Sequence, residues 1–238
     1  MLVVGAGPAG AELGRCLAQA GVDVCVIERL PDLRRAAFSS AAMPLAAMQE
    51  FGLPAQVVGA RWNGWKLLGP SGQWRAWQQD QSLGVVLDFA ALRCWLSEQM
   101  QAWGGRLHLG WTAIGTEPAV DGGVITHCRD AHGLSHSIRS DWLIDASGQQ
   151  RALIGDGASG PDPLVSGVGL EWLLKVDQQQ WSRWQGALSF VLGSQWVPQG
   201  YGWVFPMQPG VLKLGVCRLL DPGRTQPGLQ SLQQQLMD

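Results

Sequence analysis

The first thirty positions contain two short apolar runs separated by a stretch with helical periodicity. Leu2–Val4 forms the first run, and Val22–Ile27 is the second. Continuous apolar runs of this length are typical of parallel strands that are buried on both faces. One face of the intervening helix is predicted to pack on the sheet, through Ala9, Leu13, Cys16, Leu17 and Ala20. The pattern therefore predicts a strand–helix–strand unit whose helix begins near Pro8.

The turn that joins the first strand to this helix has the spacing GxGxxG. It reads Gly5-Ala6-Gly7-Pro8-Ala9-Gly10, and Glu28 ends the second strand. Glycines at these positions permit a tight turn and close approach of a pyrophosphate, which the positive end of the helix also attracts. An acid about 20 residues further on can bind a ribose hydroxyl, and it would repel a 2′-phosphate. The segment predicts a site for FAD or NAD, and the alternative is a Rossmann-like fold with no nucleotide.

The next hundred positions predict a helix, a hairpin, a second helix and several short strands. The first helix is expected over Ala36–Glu50, the hairpin has its turn at Gly69–Gly72, and Asp88 caps the second helix. A meander of four strands is expected next, at Arg106–Gly110, Ala113–Val120, Val124–Arg129 and Leu134–Arg139. Asp141–Asp145 then returns to the first sheet as a buried strand.

After residue 160 the pattern becomes mostly β. The expected strands are Gly167–Val176, Ala187–Leu192, Gly200–Phe205 and Val211–Leu219. We predict an α/β fold in which a Rossmann-like nucleotide-binding domain with an inserted β-meander (residues 1–160) precedes a mostly antiparallel β domain (residues 161–238). The helical pattern over Gly228–Asp238 has no C-terminal cap, so we expect both domains to be incomplete and the chain to be the N-terminal portion of a longer protein.

Composition excludes several classes of partner and site. A net charge of −2 and a pI near 6.1 provide no basic surface for nucleic acid. No signal sequence and no apolar stretch long enough to span a membrane is evident, so we expect a cytoplasmic protein. Peripheral contact with a membrane is a further possibility that the sequence leaves undecided. Five scattered cysteines lack a CxxC pair, and His127, Cys128, His132 and His136 fall on two strands and a turn, so neither disulfides nor a metal site is expected.

Three separated segments resemble flavoproteins with the fold of para-hydroxybenzoate hydroxylase, and within them the geranylgeranyl reductases. The first is Gly5–Gly10 with Glu28-Arg29, and the second is Leu143–Gly148. The third, Pro198–Pro206, is similar to the PxxYxWxFP pattern of the reductases and is the most specific of the three.

This resemblance implies FAD as the cofactor and NAD(P)H as a transient reductant. The implied cofactor-binding residues are Gly5, Ala6, Gly7, Pro8, Ala9, Gly10, Glu28, Arg29, Asp145 and Gly148. It also implies that Tyr201, Trp203 and Phe205 line a cavity for a hydrophobic small-molecule substrate, with an isoprenoid double bond reduced by hydride from the flavin. No catalytic residue is assigned, and the oligomeric state is not predicted.

Two alternatives stay open beside the reductase. Where the reductases have a Cys-Gly-Gly segment this chain has Phe38-Ser39-Ser40-Ala41-Ala42, which favours an NAD(P)H-dependent flavin monooxygenase acting on a hydrophobic or aromatic substrate. The other alternative is a truncated, non-catalytic fragment. In these flavoproteins a Gly-Asp turn completes the cofactor site and is expected after the aromatic hairpin, and the sequence ends before such a turn. Asp156 lies in a similar segment but precedes that hairpin, and we interpret its surroundings as a linker loop.

Overall fold

The structure is a computed structural model that describes residues 1–154, 166–221 and 223–237. The strands are β1 (Leu2–Val4), β2 (Cys25–Glu28), β3 (Ala42–Pro44), β4 (Val58–Leu68), β5 (Trp74–Gln78), β6 (Gly84–Leu87), β7 (Arg106–Leu109), β8 (Thr112–Pro118), β9 (Val124–Arg129), β10 (Ser135–Ser140), β11 (Leu143–Asp145), β12 (Gly167–Lys175), β13 (Gly186–Leu192), β14 (Gly200–Gln208) and β15 (Val211–Leu219). The helices are α1 (Pro8–Gln19), α2 (Leu45–Glu50), α3 (Phe89–Ala102), α4 (Gln178–Trp184) and α5 (Leu229–Met237). The predicted α/β class, with parallel and antiparallel sheets, is confirmed.

The chain divides into two compact units. The first comprises residues 1–37 and 90–163, and the second comprises residues 38–89 and 164–238. Residues 38–89 therefore cluster with the later part of the chain, whereas the sequence predicted one division near residue 160. The reason is strand pairing, because β3, β4, β5 and β6 belong to the same sheet as β12–β15.

The first unit is built on a four-stranded parallel sheet in the order β11-β1-β2-β7. The returning strand predicted near Asp145 is confirmed as β11, whose residues Leu143–Asp145 pair with Leu2–Val4. The assignment of Arg106–Leu109 to the meander was wrong. This segment is β7, which pairs with β2 in parallel through Cys25 and Arg106, so the meander contains only β8, β9 and β10.

Helix α1 packs on this sheet through small residues. Gly10, Ala11, Gly14 and Ala18 are its buried positions, whereas Ala9, Cys16 and Ala20 of the predicted face are exposed. A Cβ atom on Gly14 would lie 2.8 Å from Val26. The apolar face predicted from residue type is therefore wrong at those three positions, because close contact between helix and sheet selects small side chains there.

The second unit contains one large sheet in the order β12-β15-β14-β13-β4-β6-β3, with β5 paired to β4. The helix expected over Ala36–Glu50 is wrong in its first half. Ala42–Pro44 forms β3 against β6, and only Leu45–Glu50 is helical. The predicted hairpin around Gly69–Gly72 is confirmed, because β4 and β5 pair in antiparallel register.

Each face of the large sheet is covered by a different set of side chains. One face carries a buried cluster of Trp62, Leu188, Trp203, Phe205 and Met207. On the other face, α5 packs through Leu232 against Val197 and Val216. Side chains alternate between the faces of a strand, so the aromatic residues of β14 share one face, which we call the aromatic face.

Candidate functional site

Each of the three motif glycines has a different steric environment. Gly5 has φ +105°, and a Cβ there would lie 2.5 Å from the Ala146 carbonyl oxygen. A Cβ on Gly10 would lie 2.0 Å from the Gly5 carbonyl oxygen. Gly7, in contrast, has no atom within 4 Å of its Cβ position. Gly5 and Gly10 thus permit the turn and the packing of α1, while open space remains beside Gly7.

The start of α1 follows directly from this loop. Gly7 is its N-cap residue, with no hydrogen bond from a capping side chain, and Pro8 occupies the first turn. Pro8 has no N–H group and suits this position. The first amide groups of a helix without a capping side chain are the groups that bind anions in dinucleotide sites. The local geometry thus places a helix end of the kind that binds anions beside the open space at Gly7.

Glu28 is buried at the end of β2 and hydrogen-bonded to the glycine loop. One carboxylate oxygen accepts from the Ala6 backbone N–H at 2.9 Å, and the other accepts from the Leu30 N–H at 2.9 Å. The side chain is 8% exposed. The structure therefore brings the predicted ribose-binding acid together with the loop, and these bonds fix its orientation.

Arg93, on α3, is a buried residue of this site that the sequence analysis did not identify. Its guanidinium donates to the carbonyl oxygens of Ala6 at 3.2 Å, Leu33 at 2.9 Å and Arg35 at 3.1 Å. It also lies 3.6 Å from the Glu28 carboxylate. The only sequence signal was a charged residue on the otherwise apolar face of α3 formed by Leu92 and Leu96. Arg93 supports the glycine loop and the acid together.

Asp145 organises the loop that follows β11. Its carboxylate accepts hydrogen bonds from Ser147 and from the backbone N–H groups of Leu153 and Ile154. Burial raises the pKa of Asp145, but these hydrogen bonds outweigh burial, and the net pKa lies below its usual value. Strand pairing sets Asp145 opposite Val4, directly before Gly5.

The other predicted cofactor residues occupy different environments. Ala6 is fully buried in the loop, Pro8 and Ala9 are exposed, and Gly148 adopts φ +74°. Arg29 is exposed beside Glu28. A cofactor role for these residues and for Asp145 stays a prediction. Asp156 lies outside the residues that the structure describes.

The aromatic motif residues of β14 lie together on the aromatic face. Ring centroids are 5.8 Å apart for Tyr201 and Trp203 and 6.4 Å apart for Trp203 and Phe205, and Phe190 contacts Tyr201 and Phe205. Trp203 is 7% and Phe205 is 3% exposed, whereas Tyr201 is 39% exposed. Gly215 is paired with Trp203, and a Cβ there would lie 2.0 Å from the indole. The hairpin thus depends on glycine at position 215 to accommodate the Trp203 ring.

Two ionisable side chains border this aromatic group, and the sequence analysis identified neither. The Glu171 carboxylate accepts from the Trp203 indole N–H at 3.1 Å. Lys213 donates to the carbonyl oxygens of Ser39 at 2.7 Å and Leu87 at 3.3 Å. Burial raises the pKa of Glu171 and lowers that of Lys213, although each charge partly offsets the effect of burial on the other.

Two of the three meander histidines have side chains close to acidic side chains. His136 lies 2.9 Å from Asp130, and His127 lies 3.4 Å from Glu117. Within residues 1–154, 166–221 and 223–237, no group of three or more His, Cys, Asp or Glu side chains is placed to hold a metal ion. No helix in this described part is long and apolar enough to cross a membrane.

The glycine loop fits the adenine dinucleotide that the sequence predicts. A β-carbon at position 7 would occupy open space beside the start of α1, where a pyrophosphate would have to approach. The carboxylate of Glu28 is held at the end of the adjacent strand β2. Neither feature depends on the residues outside the described ranges.

Comparison with known proteins supports this interpretation. Residues 1–53 match the family described as FAD binding domain. The chain is 27% identical over 234 residues to digeranylgeranylglycerophospholipid reductase of Haloferax volcanii, covering 94% of this chain and 54% of that protein. It is 24% identical to the chloroplastic geranylgeranyl diphosphate reductase of Arabidopsis thaliana, covering 86% of this chain and 45% of that protein. The chain thus spans about half the length of these curated relatives.

Solved structures share the fold. A geranylgeranyl bacteriochlorophyll reductase-like protein from Thermoplasma acidophilum superposes with a TM-score of 0.77 at 20% identity, covering 99% of this chain and 60% of that one. The p-nitrophenol 4-monooxygenase of Pseudomonas putida gives a TM-score of 0.65 at 18% identity, covering 99% and 60% of the two chains. The chain therefore shares the fold of these two proteins, its first 53 residues match an FAD binding domain, and its sequence resembles that of the geranylgeranyl reductases over most of its length.

Proposed function

We propose that this chain is part of an FAD-dependent oxidoreductase that reduces carbon–carbon double bonds of an isoprenoid substrate. The observation that supports this proposal most directly is the combination of open space at Gly7 with a buried, oriented Glu28. Similarity to named isoprenoid reductases over 94% of the chain supports the choice of reaction.

The first unit supplies the proposed cofactor contacts. The backbone at the start of α1 binds the pyrophosphate, and Glu28 accepts from a ribose hydroxyl while Arg93 holds the loop in place. Reduced FAD supplies hydride when it is bound, and a nicotinamide is the proposed source of the electrons. The protein's own part is to orient the reactants and to exclude water.

The second unit supplies the proposed substrate wall. Tyr201 presents exposed aromatic surface that holds an alkene by apolar contact, without hydrogen bonds to the double bond, and the buried Trp203 and Phe205 support the wall from within the same aromatic group. Reduction of an alkene also consumes a proton. Glu171 is our candidate donor, because its carboxyl group is hydrogen-bonded to the Trp203 indole N–H, and burial raises its pKa above the ordinary value. Lys213 would stabilise the carboxylate that remains after transfer.

The cofactor proposal is tested by Gly7→Ala. Gly7 has φ −68°, which alanine adopts without strain, and the new methyl group meets no protein atom. We expect an unchanged fold and FAD affinity about 10- to 100-fold weaker, since one charged hydrogen bond of about 1.5–3 kcal/mol is lost. The measurement is FAD titration followed by its visible absorbance.

Gly115→Ala is the matched control, because Gly115 also has open space around its Cβ position but lies in the meander strand β8. The cofactor proposal fails if the purified chain takes up no FAD, or if both variants bind FAD as the wild type does.

The reaction is tested under anaerobic conditions. Photochemically reduced protein is mixed with a geranylgeranyl compound, and return of the oxidised flavin spectrum is followed together with the mass of the product. A gain of two hydrogen atoms per double bond, with flavin reoxidation, is the expected result. Absence of both in protein that binds FAD would contradict the reductase assignment.

The second candidate is an NAD(P)H-dependent flavin monooxygenase. The segment Phe38–Ala42, in place of the Cys-Gly-Gly of the reductases, favours it, and the fold is shared with p-nitrophenol 4-monooxygenase. Oxygen consumption coupled one-to-one to a hydroxylated product would establish this alternative and exclude the reductase.

A further inference from the structure

A cavity whose lining does not include the buried motif aromatics lies in the second unit. Its volume is about 590 Å³, and it lies between the β4–β5 hairpin, α4 and the end of β14. Neither Trp203 nor Phe205 lines it. The substrate wall proposed above therefore does not account for this space.

The charged side chains that line the cavity are all cationic. They are Arg61, Lys66 and Arg183, and no carboxylate is among the lining residues. Other basic residues of this protein pair with acids, as Arg15 does with Glu12. Among the described residues, none of the three cavity cations forms an ion pair with a carboxylate.

Two of these cations lie beside the same tryptophan ring. The Lys66 ammonium donates to the Arg183 carbonyl oxygen and lies 5.5 Å from the Trp184 ring centroid. The Arg183 guanidinium lies 5.0 Å from the same centroid. Burial and the Arg183 charge both lower the pKa of Lys66. Like charges held together at a partly buried site repel each other, and a bound anion would relieve this repulsion.

The other residues that line the cavity favour an anion that is attached to a larger organic group. Trp77 and Trp181 supply apolar surface, while Ser182 and Gln78 supply hydrogen-bonding groups. A single carboxylate would leave most of the positive charge uncompensated. A phosphate monoester or a diphosphate carries two or more negative charges and several acceptor oxygens, which matches three cations.

We propose that this cavity is a binding site for an organic phosphate, in which Arg61, Lys66 and Arg183 hold the phosphate group and the tryptophans contact the organic part. Trp65 connects it to the aromatic face, because it lines the cavity and stacks on Phe190 at 5.8 Å. If the organic part is isoprenoid, the cavity would bind the substrate of the proposed reductase, and this part of the proposal rests on the proposed function. Anion binding as such does not depend on the reaction.

Isothermal titration calorimetry on the full chain tests the site without turnover. Geranyl diphosphate is compared with geraniol, which lacks only the anion, and with inorganic pyrophosphate, which lacks the apolar part. We expect geranyl diphosphate to bind at least tenfold more tightly than either, with an affinity that falls as salt is raised. A second arm compares NADPH with NADH, which differ by one phosphate monoester, so that a nucleotide phosphate is distinguished from a prenyl phosphate.

Lys66→Met is expected to weaken binding of the preferred phosphate about 10- to 100-fold, since one charged hydrogen bond is lost. Arg61→Gln alters an exposed side chain and provides a second test if Lys66→Met does not fold. Lys175→Met, at an exposed position of β12 outside the cavity lining, is the matched control and should bind as the wild type does.

The proposal is overturned if neither geranyl diphosphate nor NADPH binds more tightly than its partner without the phosphate. It is also overturned if Lys66→Met and Arg61→Gln bind as Lys175→Met does. Loss of alkene reduction with intact phosphate binding would instead contradict only the proposed function.

Discussion

Replacement of Arg93 by methionine tests whether this side chain supports the glycine loop. Methionine has a similar length and keeps the apolar contacts on α3, but it removes the donors to the carbonyl oxygens of Ala6, Leu33 and Arg35. It also leaves the Glu28 carboxylate buried without its counter-charge. Both effects destabilise the folded state, because buried polar groups lose their partners.

The expected cost is about 3–5 kcal/mol of unfolding free energy, the usual range when a buried ion pair loses one partner. For a chain of this size that corresponds to a decrease in Tm of about 6–20 °C. Because Glu28 keeps its hydrogen bonds from Ala6 and Leu30, we expect a loss of unfolding free energy toward the lower end of this range. Urea unfolding followed by circular dichroism measures the change.

Arg106→Met is the matched control for this experiment. Arg106 and Asp23 form a shorter ion pair, at 2.8 Å, but their side chains are 61% and 81% exposed. Exposed pairs contribute between 0 and about 1 kcal/mol. The reasoning is refuted if Arg93→Met destabilises the protein no more than Arg106→Met does. Glu28→Gln should lower the unfolding free energy less in the Arg93→Met background than in the wild type, because in that background it removes a buried charge that has no counter-charge.

Three further predictions concern other parts of the fold. Gly215→Ala should lower the unfolding free energy by about 1–3 kcal/mol, measured by thermal denaturation, because its methyl group would overlap the Trp203 indole. The pKa of Asp145 lies below its ordinary value in the folded state, so its contribution to stability is present above about pH 4 and is lost as the pH falls through the folded pKa. Asp145→Asn should therefore destabilise the protein at pH 7, and urea titrations at successively lower pH should show this effect diminish as the pH falls below about 4. Burial raises the pKa of Cys128 to about 11, so its thiol should react poorly with a maleimide. In the folded protein the maleimide should modify the exposed Cys16, and it should modify Cys128 only after denaturation, as measured by mass spectrometry.

Sequence patterns predicted the local elements well where one physical constraint acts within a few residues. The β1–α1 turn requires Gly5 to adopt a positive φ and Gly10 to permit close packing, and both requirements are visible in the motif. The strands β12–β15 were predicted to within a few residues because their apolar runs end at turn-forming residues. The helix expected over Ala36–Glu50 was wrong only before Leu45, because pairing of β3 with β6 overrides local helical preference there.

The sequence alone determined the dinucleotide-binding unit, the class of fold and the aromatic hairpin, since each depends on neighbours in the chain. Tertiary structure decided which distant segments meet. It paired β7 with β2, joined β3–β6 to the sheet of the second unit, and brought Arg93 to Ala6. It also brought Arg61, Lys66 and Arg183 to one cavity. Contacts between residues far apart in sequence leave no periodic signal in a single chain, because the free energy they contribute arises only after the intervening segments have folded.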